Sequence, residues 1–260
     1  MSSAGRSGRR PSAAPWLGAG LAALLFAGQA AAAGVVANPG VTVRAGAYDP
    51  WERANRRLFG VGMALDHAVF GPVARTYVAV TPRFVRDRVS AAVFNLGEPS
   101  TAMEDILQAK PGRAGRAGLR FVVNSTAGVL GMFDVASRLG VPGHESDFGQ
   151  TLGRYGVQPG PYVYALVAPF NLRDGVGRIV DFVTDPASLI VGPVTSTGGA
   201  VRTGADLLDT RVAVDPALRA LDDATDPYAT VRAAYAQRRA ALIDGHAVAT
   251  SALPDFEPER

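Results

Sequence analysis

The residue types of a hydrolase triad occur together in the tetrapeptide His144–Asp147, with the sequence HESD. In such a triad a serine attacks a carbonyl carbon, while a histidine oriented by an acid takes the proton of the serine. These groups are brought together by the fold, and neighbours in sequence rarely point at one another. The tetrapeptide is therefore interpreted as a polar loop in which Ser146 or Asp147 starts a short helix. The other histidines, His67 and His246, lie in separate regions.

A second candidate for chemistry is the glycine-rich stretch Gly149–Gly160. Glycine-rich loops can cradle phosphates, but they then follow a strand and precede a G-K-[ST] sequence. No predicted strand precedes this stretch, and no such sequence follows it, so a run of turns is favoured. The sequence thus predicts no catalytic residues, no metal site and no cofactor. We expect that the protein is not an enzyme.

The composition is that of an arginine-rich chain of 260 residues with a formal net charge of only +3. Of its 26 basic residues only Lys110 is a lysine, which is typical of a GC-rich genome. No stripe of arginine and aromatic residues accompanies the charge, so no nucleic-acid partner is predicted. The chain has no cysteine. We therefore expect stabilisation by packing, without disulfides, and no lipid attached to a cysteine.

The organisation of the chain begins with a predicted secretory signal over residues 1–33. An arginine-containing start is followed by the apolar core Trp16–Ala27 and an alanine run that offers cleavage sites. This core is shorter than the ~20 residues that a spanning helix needs. Residues 34–48 are interpreted as a mature N-terminal segment, residues 49–246 as one helical domain, and residues 247–260 as a flexible tail.

Helix starts are the clearest local signals in the predicted domain. In each, a side-chain acceptor precedes a proline at the first helical position. The five pairs are Asp49-Pro50, Thr81-Pro82, Asp185-Pro186, Asp215-Pro216 and Asp226-Pro227. They predict an all-α protein of short helices. After an amphipathic first helix from Pro50, whose capping box ends at Glu52, the predicted helices cover residues 82–95, 99–109, 112–130, 174–191, 199–210 and 227–244.

The segment Phe121–Phe133 contains no charged residue. As a helix its 13 residues would be about 20 Å long, short of the ~30 Å of a hydrocarbon core. Two interpretations remain open: a buried core helix, or a helix lying partly in a membrane with the preceding arginines at lipid phosphates. Gly128 and Gly131 would allow a bend or close helix contact. Asp134 and Arg138 have the i,i+4 spacing of an ion pair.

Several sequence blocks occur in the order of one known family. They are Asp49–Arg56, Phe94–Pro99, Phe121–Ala136, Phe148–Val157, Gly160–Val163, Leu172–Asp174 and Asp226–Tyr228. Over about residues 49–245 the chain resembles the MlaA (VacJ) family, the outer-membrane component of a bacterial phospholipid-trafficking system.

The resemblance implies a ring-like assembly of short amphipathic helices around a central amphipathic channel. Such a protein sits at the periplasmic side of the outer membrane. It removes mislocalised phospholipid from the outer leaflet, passes it to a soluble periplasmic carrier and so maintains lipid asymmetry. The implied partners are phospholipid, that carrier and a trimeric outer-membrane porin.

Six residues are predicted to belong to the lipid channel or to a loop beside it, with helix packing as the alternative for each. They are Asn124, Gly128, Gly131, Asp134, Tyr155 and Tyr162. One departure from the family matters, because many members carry a lipid on an N-terminal cysteine. Membrane attachment of this chain would have to come from the helical body or from porins. A soluble periplasmic lipid-binding or scaffolding protein is therefore the alternative function.

Overall fold

The computed structural model describes residues 47–165 and 167–244. Within these residues the bounds of the α-helices are α1 Glu52–Leu65, α2 Gly71–Val80, α3 Arg83–Leu107, α4 Pro111–Thr126, α5 Val135–Arg138, α6 Phe148–Arg154, α7 Leu172–Thr184, α8 Ser188–Val191, α9 Thr197–Asp222 and α10 Pro227–Asp244. A π-helical turn, Asp66–Phe70, joins α1 to α2. The predicted helical body is confirmed. The predicted signal, nearly all of segment 34–48 and the predicted tail lie outside the described residues.

Helix starts predicted from local sequence differ in their outcome. Asp226 caps α10 as predicted, since its Oδ1 accepts from the backbone N–H of Ala229 at 3.0 Å. Asp49 does not cap α1, which begins at Glu52 without a side-chain cap, so the predicted capping box is wrong. Its carboxylate instead accepts from Asn55 Nδ2 at 2.8 Å and from the hydroxyl of Tyr228. Asp49 therefore ties the start of α1 to α10.

Two predicted helix breaks do not occur. Pro99 lies inside α3, so the predicted helices 82–95 and 99–109 are one helix. Pro216 lies inside α9, so the helix predicted over 199–210 continues through the predicted start at Asp215-Pro216 to Asp222. The carboxylate of Asp215, predicted to cap a helix, instead pairs with Arg211 at 2.8 Å and Arg219 at 2.6 Å. These i,i±4 pairs support a continuous helix across the proline.

An unpredicted β-hairpin lies against the largest apolar cluster. Strand β1 (Tyr162–Ala165) pairs antiparallel with β2 (Ala168–Asn171), and Tyr162 lies opposite Asn171. The cluster is mainly aromatic and contains Phe59, Tyr162, Tyr164, Leu221, Tyr228, Val231 and Tyr235. Its rings meet edge to face, as between Phe59 and Tyr164, whose centroids are 5.1 Å apart.

The helices turn polar residues inward and apolar residues outward. In α1 the inward residues are Asn55, Phe59 and Gly62, whereas Leu58 and Val61 on the predicted apolar face are exposed. In a soluble protein the apolar face of such a helix would meet the core. The amphipathic pattern of α1 was thus predicted correctly, but its apolar face lies on the outer surface of the protein and not against the core.

The same reversed arrangement recurs in other helices. In α4 the buried residues are Ala114, Ala117, Arg120 and Asn124, while Leu119 and Val122 are exposed. In α7 the buried residues are Arg173, Asp174 and Gly177, while Leu172, Val176, Ile179 and Val183 are exposed. Extended exposed apolar surface of this kind marks a site of interaction with protein or membrane. Among the described residues no helix combines the length and apolarity required to cross a bilayer.

Candidate functional site: a cavity with an apolar and a charged side

Two adjoining cavities open between the long helices. Their volumes are about 820 Å³ and about 420 Å³, and Phe182, Asp185, Arg202 and Asp206 border both. The walls come from α3, α7 and α9 and from the loop 141–147 that precedes α6. The larger volume falls in the range of pockets that hold small organic ligands, about 300–1,000 Å³.

Part of the lining of the larger cavity is apolar. It is formed by Val93, Phe94, Phe182, Val183, Pro193 and Val194. Phe94 and Phe182 are 44% and 39% exposed, respectively. These aromatic rings therefore offer contact area to a bound apolar group in addition to packing within the protein.

The lining of the smaller cavity is mainly charged, and helix α10 supplies two of its four arginines. Arg238 pairs with Glu145 at 2.5 Å, and Arg239 pairs with Asp147 at 2.6 Å. Asp147 also caps α6, since its Oδ1 accepts from the backbone N–H of Gln150 at 2.8 Å. These contacts hold the loop before α6 against α10 and so fix the position of the charged wall.

The carboxylates of this wall differ in their ionisation. Burial alone would raise the pKa of Asp147, but Arg239 lowers that pKa to about 2. Burial raises the pKa of Asp181 to about 8, with a further contribution from the charge of Asp147. Removal from water also raises the pKa of Asp206. At neutral pH the wall therefore contains both an ionised carboxylate, Asp147, and a protonated one, Asp181.

The tetrapeptide His144–Asp147 does not form a triad. His144 Nε2 pairs with Asp105, and Ser146 Oγ accepts from Gln108 Nε2 at 2.7 Å. Its four side chains point to four different partners, as predicted for a polar loop, and Asp147 starts a short helix as predicted. The loop contributes three residues to the rim of the larger cavity.

Asn124 and Asp134, two of the predicted channel residues, belong to one polar cluster, in which Asn124 is buried and Asp134 is partly exposed. Asn124 Nδ2 donates to Asp134 Oδ1 at 3.1 Å, and Asn124 Oδ1 accepts from the backbone N–H of Ala136 at 2.9 Å. Asp134 also accepts from Arg120 Nη2 at 3.1 Å. The partner of Asp134 is thus Arg120 and not Arg138, and the cluster fastens α5 to α4.

The two predicted glycines form the turn between α4 and α5. Helix α4 ends at Thr126, four residues before the predicted end. A Cβ at Gly128 would lie 2.2 Å from the backbone oxygen of Phe133. Gly131 has φ +87°, and a Cβ there would lie 2.6 Å from Asn95 Cβ. Both positions therefore require glycine, for close approach and for a left-handed conformation respectively.

The two predicted tyrosines lie in different surroundings. Tyr155 is 68% exposed, and its hydroxyl donates to the backbone oxygen of Leu107 at 2.7 Å. Tyr162 is fully buried in the aromatic cluster. None of the six predicted residues borders either of the two cavities. Their part in a lipid path remains a prediction.

Sequence reasoning did not select the residues that border the cavity. Those of interest are Arg178, Asp181, Phe182, Arg202 and Asp206. The sequence contains a weak indication of them. Charged residues recur at helical spacing, between apolar residues, in the two segments that form α7 and α9. That spacing places them on one face of each helix, but it does not reveal that the two faces border the same cavity.

Comparison with known proteins gives concordant matches. A family model described as "MlaA lipoprotein" matches residues 47–242. The "Intermembrane phospholipid transport system lipoprotein MlaA" of Escherichia coli K12 is 32% identical over 212 residues, which cover 78% of this chain and 82% of that protein. An uncharacterized protein of Rickettsia felis is 32% identical over 198 residues, covering 75% and 78% respectively.

A solved structure is also similar. It was reported under "Structural basis for maintenance of bacterial outer membrane lipid asymmetry" and has a TM-score of 0.67 and 31% identity. The match covers 75% of this chain and 98% of that chain. The similarity therefore extends over nearly all of the described fold.

Proposed function

Because the chain belongs to the MlaA family, we propose that it is an outer-membrane phospholipid-transport protein. It removes mislocalised phospholipid from the outer leaflet and passes it to a carrier in the periplasm. Lipid asymmetry is maintained in this way without any chemical change to the lipid. Residues 49–246 form the transport domain.

The reversed arrangement of the helices around a cavity carries this proposal. A phospholipid has a charged head group and two apolar chains, and an isolated charge is costly in hydrocarbon. The cavity offers charged groups such as Arg202 and Asp185 beside the rings of Phe94 and Phe182. A head group can therefore remain solvated by protein charges while its chains contact an apolar wall.

The dimensions of the outer faces favour insertion into one leaflet. Helix α4 has 16 residues and α7 has 13, which correspond to about 24 Å and 20 Å of helix. Both are shorter than the ~30 Å of a hydrocarbon core. Their apolar faces, with Val122 and Ile179, would lie in the inner leaflet of the outer membrane, and the body faces the periplasm. Attachment then needs no lipidated cysteine.

The partners of this function follow from the family. Lipid leaving the cavity is received by a soluble periplasmic carrier, and a trimeric porin holds the body in the membrane. We further propose that the helices surround the cavity as a ring, which makes it a channel between the leaflet and the periplasm.

A deletion strain tests the proposal in the bacterium that carries the gene. The deletion is expected to raise phospholipid in the outer leaflet and to increase sensitivity to detergent. A strain with a normal outer leaflet and normal detergent resistance would contradict the proposed function.

Complementation with a blocked cavity tests whether the cavity is the path. Gly97 borders both cavities, and a Cβ added there meets nothing within 4 Å. Gly97→Leu should therefore fold and yet obstruct the cavity, so that it restores the barrier poorly. The control is Gly115→Leu on α4, where a Cβ is equally unhindered and no cavity is near. The control should restore the barrier like the wild type.

Fractionation separates the alternative function from the proposed one. A soluble periplasmic lipid-binding or scaffolding protein would leave the cell with the periplasmic fraction, without detergent. The exposed apolar residues of α4 and α7 instead predict that extraction requires detergent.

A further inference from the structure

Four arginines border the smaller cavity, and three of them are neutralised by carboxylates. The pairs are Arg202 with Asp185, Arg238 with Glu145 and Arg239 with both Asp147 and Asp174. The fourth is Arg178, on α7. Within the described residues no carboxylate lies in salt-bridge contact with it. Among the described residues this cation therefore has no ion-pair partner, and the charges of Asp147 and Asp174 act on it only from beyond salt-bridge distance.

The guanidinium of Arg178 is held in place but not fully satisfied. Its Nη2 donates to the backbone oxygen of Pro169 at 3.2 Å, and its central carbon lies 5.6 Å from the ring centre of Phe170. Its Nη1 is buried and has no hydrogen-bond partner. Burial lowers the pKa of Arg178. A buried donor without an acceptor is costly, so an anion that reached Nη1 would bind with little competition from water.

The two acids one turn away from Arg178 on α7 do not serve as that anion. Asp174, one turn earlier, is paired with Arg173 and Arg239. Asp181 lies one turn after Arg178, but its carboxylate accepts from the backbone N–H of Phe148 at 3.1 Å. Burial also raises the pKa of Asp181 to about 8. At neutral pH Asp181 is therefore mostly neutral, and it does not form an ion pair with Arg178.

The carboxyl group of Asp206, on α9, borders the same cavity as Arg178. The side chain of Asp206 lines the cavity, and among the described residues it has neither a hydrogen bond nor a salt bridge. Desolvation raises its pKa, and a ligand ammonium beside it would lower that pKa and so favour the ionised carboxylate. Arg202, one turn earlier, is engaged by Asp185. The cavity wall thus contains the Arg178 guanidinium and the Asp206 carboxyl group, which lie on different helices and, among the described residues, have no ion-pair partner.

Resting on the proposed function, we propose that Arg178 binds the phosphodiester of a phospholipid head group while Asp206 binds the ammonium of the same head group. The preferred substrates are then zwitterionic aminophospholipids of the phosphatidylethanolamine type. A guanidinium and a carboxylate match the two charges of this head group. Phosphatidylglycerol has the phosphodiester but no ammonium, so it would leave the carboxylate of Asp206 unpaired beside a second negative charge.

Native mass spectrometry of the full-length protein in mild detergent tests the phosphate contact, using equimolar phosphatidylethanolamine and phosphatidylglycerol. Arg178→Gln is expected to bind both lipids about tenfold more weakly, because a hydrogen bond to a charged group is lost. Arg178→Lys should restore part of the binding, and an unchanged melting temperature shows that the variants fold. The matched control is Arg219→Gln, since the side chain of Arg219 is 70% exposed and borders neither cavity.

Asp206→Asn tests the ammonium contact in the same experiment. The wild type should bind more phosphatidylethanolamine than phosphatidylglycerol, and the variant should bring the ratio close to one. An unchanged ratio, or wild-type affinity in Arg178→Gln, would overturn the inference while leaving the proposed transport intact. A wild type that holds no phospholipid would overturn both. Inorganic phosphate is added as a further probe. Displacement of lipid at millimolar phosphate would identify a site for free phosphate and contradict a lipid site.

Discussion

Arg239 connects carboxylates that belong to different elements. It pairs with Asp147 at the start of α6 and, through Nε, with Asp174 in α7 at 2.7 Å. The hydroxyl of Tyr235 donates to the same Asp174. Three helices therefore meet at one guanidinium. Without it Asp147 would lose its ion-pair partner, and Asp174 would keep only Arg173.

Replacement of this arginine is the first prediction at the residue scale. Arg239→Met should lower the free energy of unfolding by about 3–5 kcal/mol, because it leaves the charge of Asp147 unpaired and removes one of the two partners of the buried Asp174. Chemical unfolding in detergent measures the change. The exposed Arg219→Met should stay within about 0.5 kcal/mol of the wild type. Equal stability of the two variants would show that the cluster contributes little.

A pair of tyrosine substitutions separates packing from a role in transport. The hydroxyl of Tyr162 is buried without a hydrogen-bond partner, so Tyr162→Phe should preserve or raise stability. The hydroxyl of Tyr235 accepts from the backbone N–H of Asn171 at 3.0 Å and donates to Asp174. Tyr235→Phe should therefore lose about 1–3 kcal/mol. If Tyr162→Phe kept its stability but impaired lipid transport, the sequence-based prediction of a channel tyrosine would be favoured.

The pH dependence of stability follows from Asp181. Its pKa rises from 3.8 to about 8 on folding, mainly through burial. The folded protein thus keeps a proton that the unfolded chain loses, and this contribution to stability is complete below pH 3.8 and lost as pH rises to 8. Asp181→Asn should become more stable relative to wild type across that range, by at most about 1.4 kcal/mol per pH unit. Melting temperatures at pH 5 and pH 8 test this, and a constant difference would contradict the raised pKa.

At the scale of elements, the end of α4 depends on its glycines. Gly128→Ala should destabilise the protein by about 1–3 kcal/mol, because its Cβ would overlap the backbone oxygen of Phe133. Gly115→Ala on the same helix meets nothing within 4 Å and should stabilise it by about 0.5–1 kcal/mol. Thermal unfolding of both variants gives the comparison. Similar effects of the two substitutions would mean that the turn adapts easily to a side chain.

Local signals predicted some elements and missed others for physical reasons. The cap at Asp226 was predictable because it involves only neighbouring residues. Pro99 and Pro216 were interpreted as helix starts, but both helices continue through the proline, in α9 with ion pairs of Asp215 to Arg211 and Arg219 on either side. The inward face of α1 was not predictable, because periodicity separates two faces without showing whether the apolar one meets protein or lipid.

The candidate site was harder to predict than the helices. The family motifs, each a continuous stretch of sequence, predicted channel residues in the segment Asn124–Asp134. The polar contacts of that segment join residues close in sequence. The cavity instead combines residues from Phe94 to Arg239, which only the tertiary structure brings together. No spacing within one segment of sequence could have revealed that Arg178 and Asp206 share a cavity.

At the scale of the whole molecule, the interior is unusually polar. Among the described residues, 17 buried side chains are polar or charged and 16 are apolar, while 29 large apolar side chains are exposed. Charged residues are rarely buried in soluble proteins unless they are paired. Most of the buried charged residues described in this protein do form ion pairs. An apolar environment around the body would cover the exposed side chains, which is what a bilayer leaflet supplies.

Photo-crosslinking from the cavity wall in living cells tests the lipid path most directly. A photoreactive phenylalanine analogue at Phe182, which borders both cavities, should form phospholipid adducts that mass spectrometry detects. The same analogue at Arg219, outside both cavities, should form few or none. Absence of lipid adducts at Phe182, or equal yields at the two positions, would contradict a phospholipid path through this cavity.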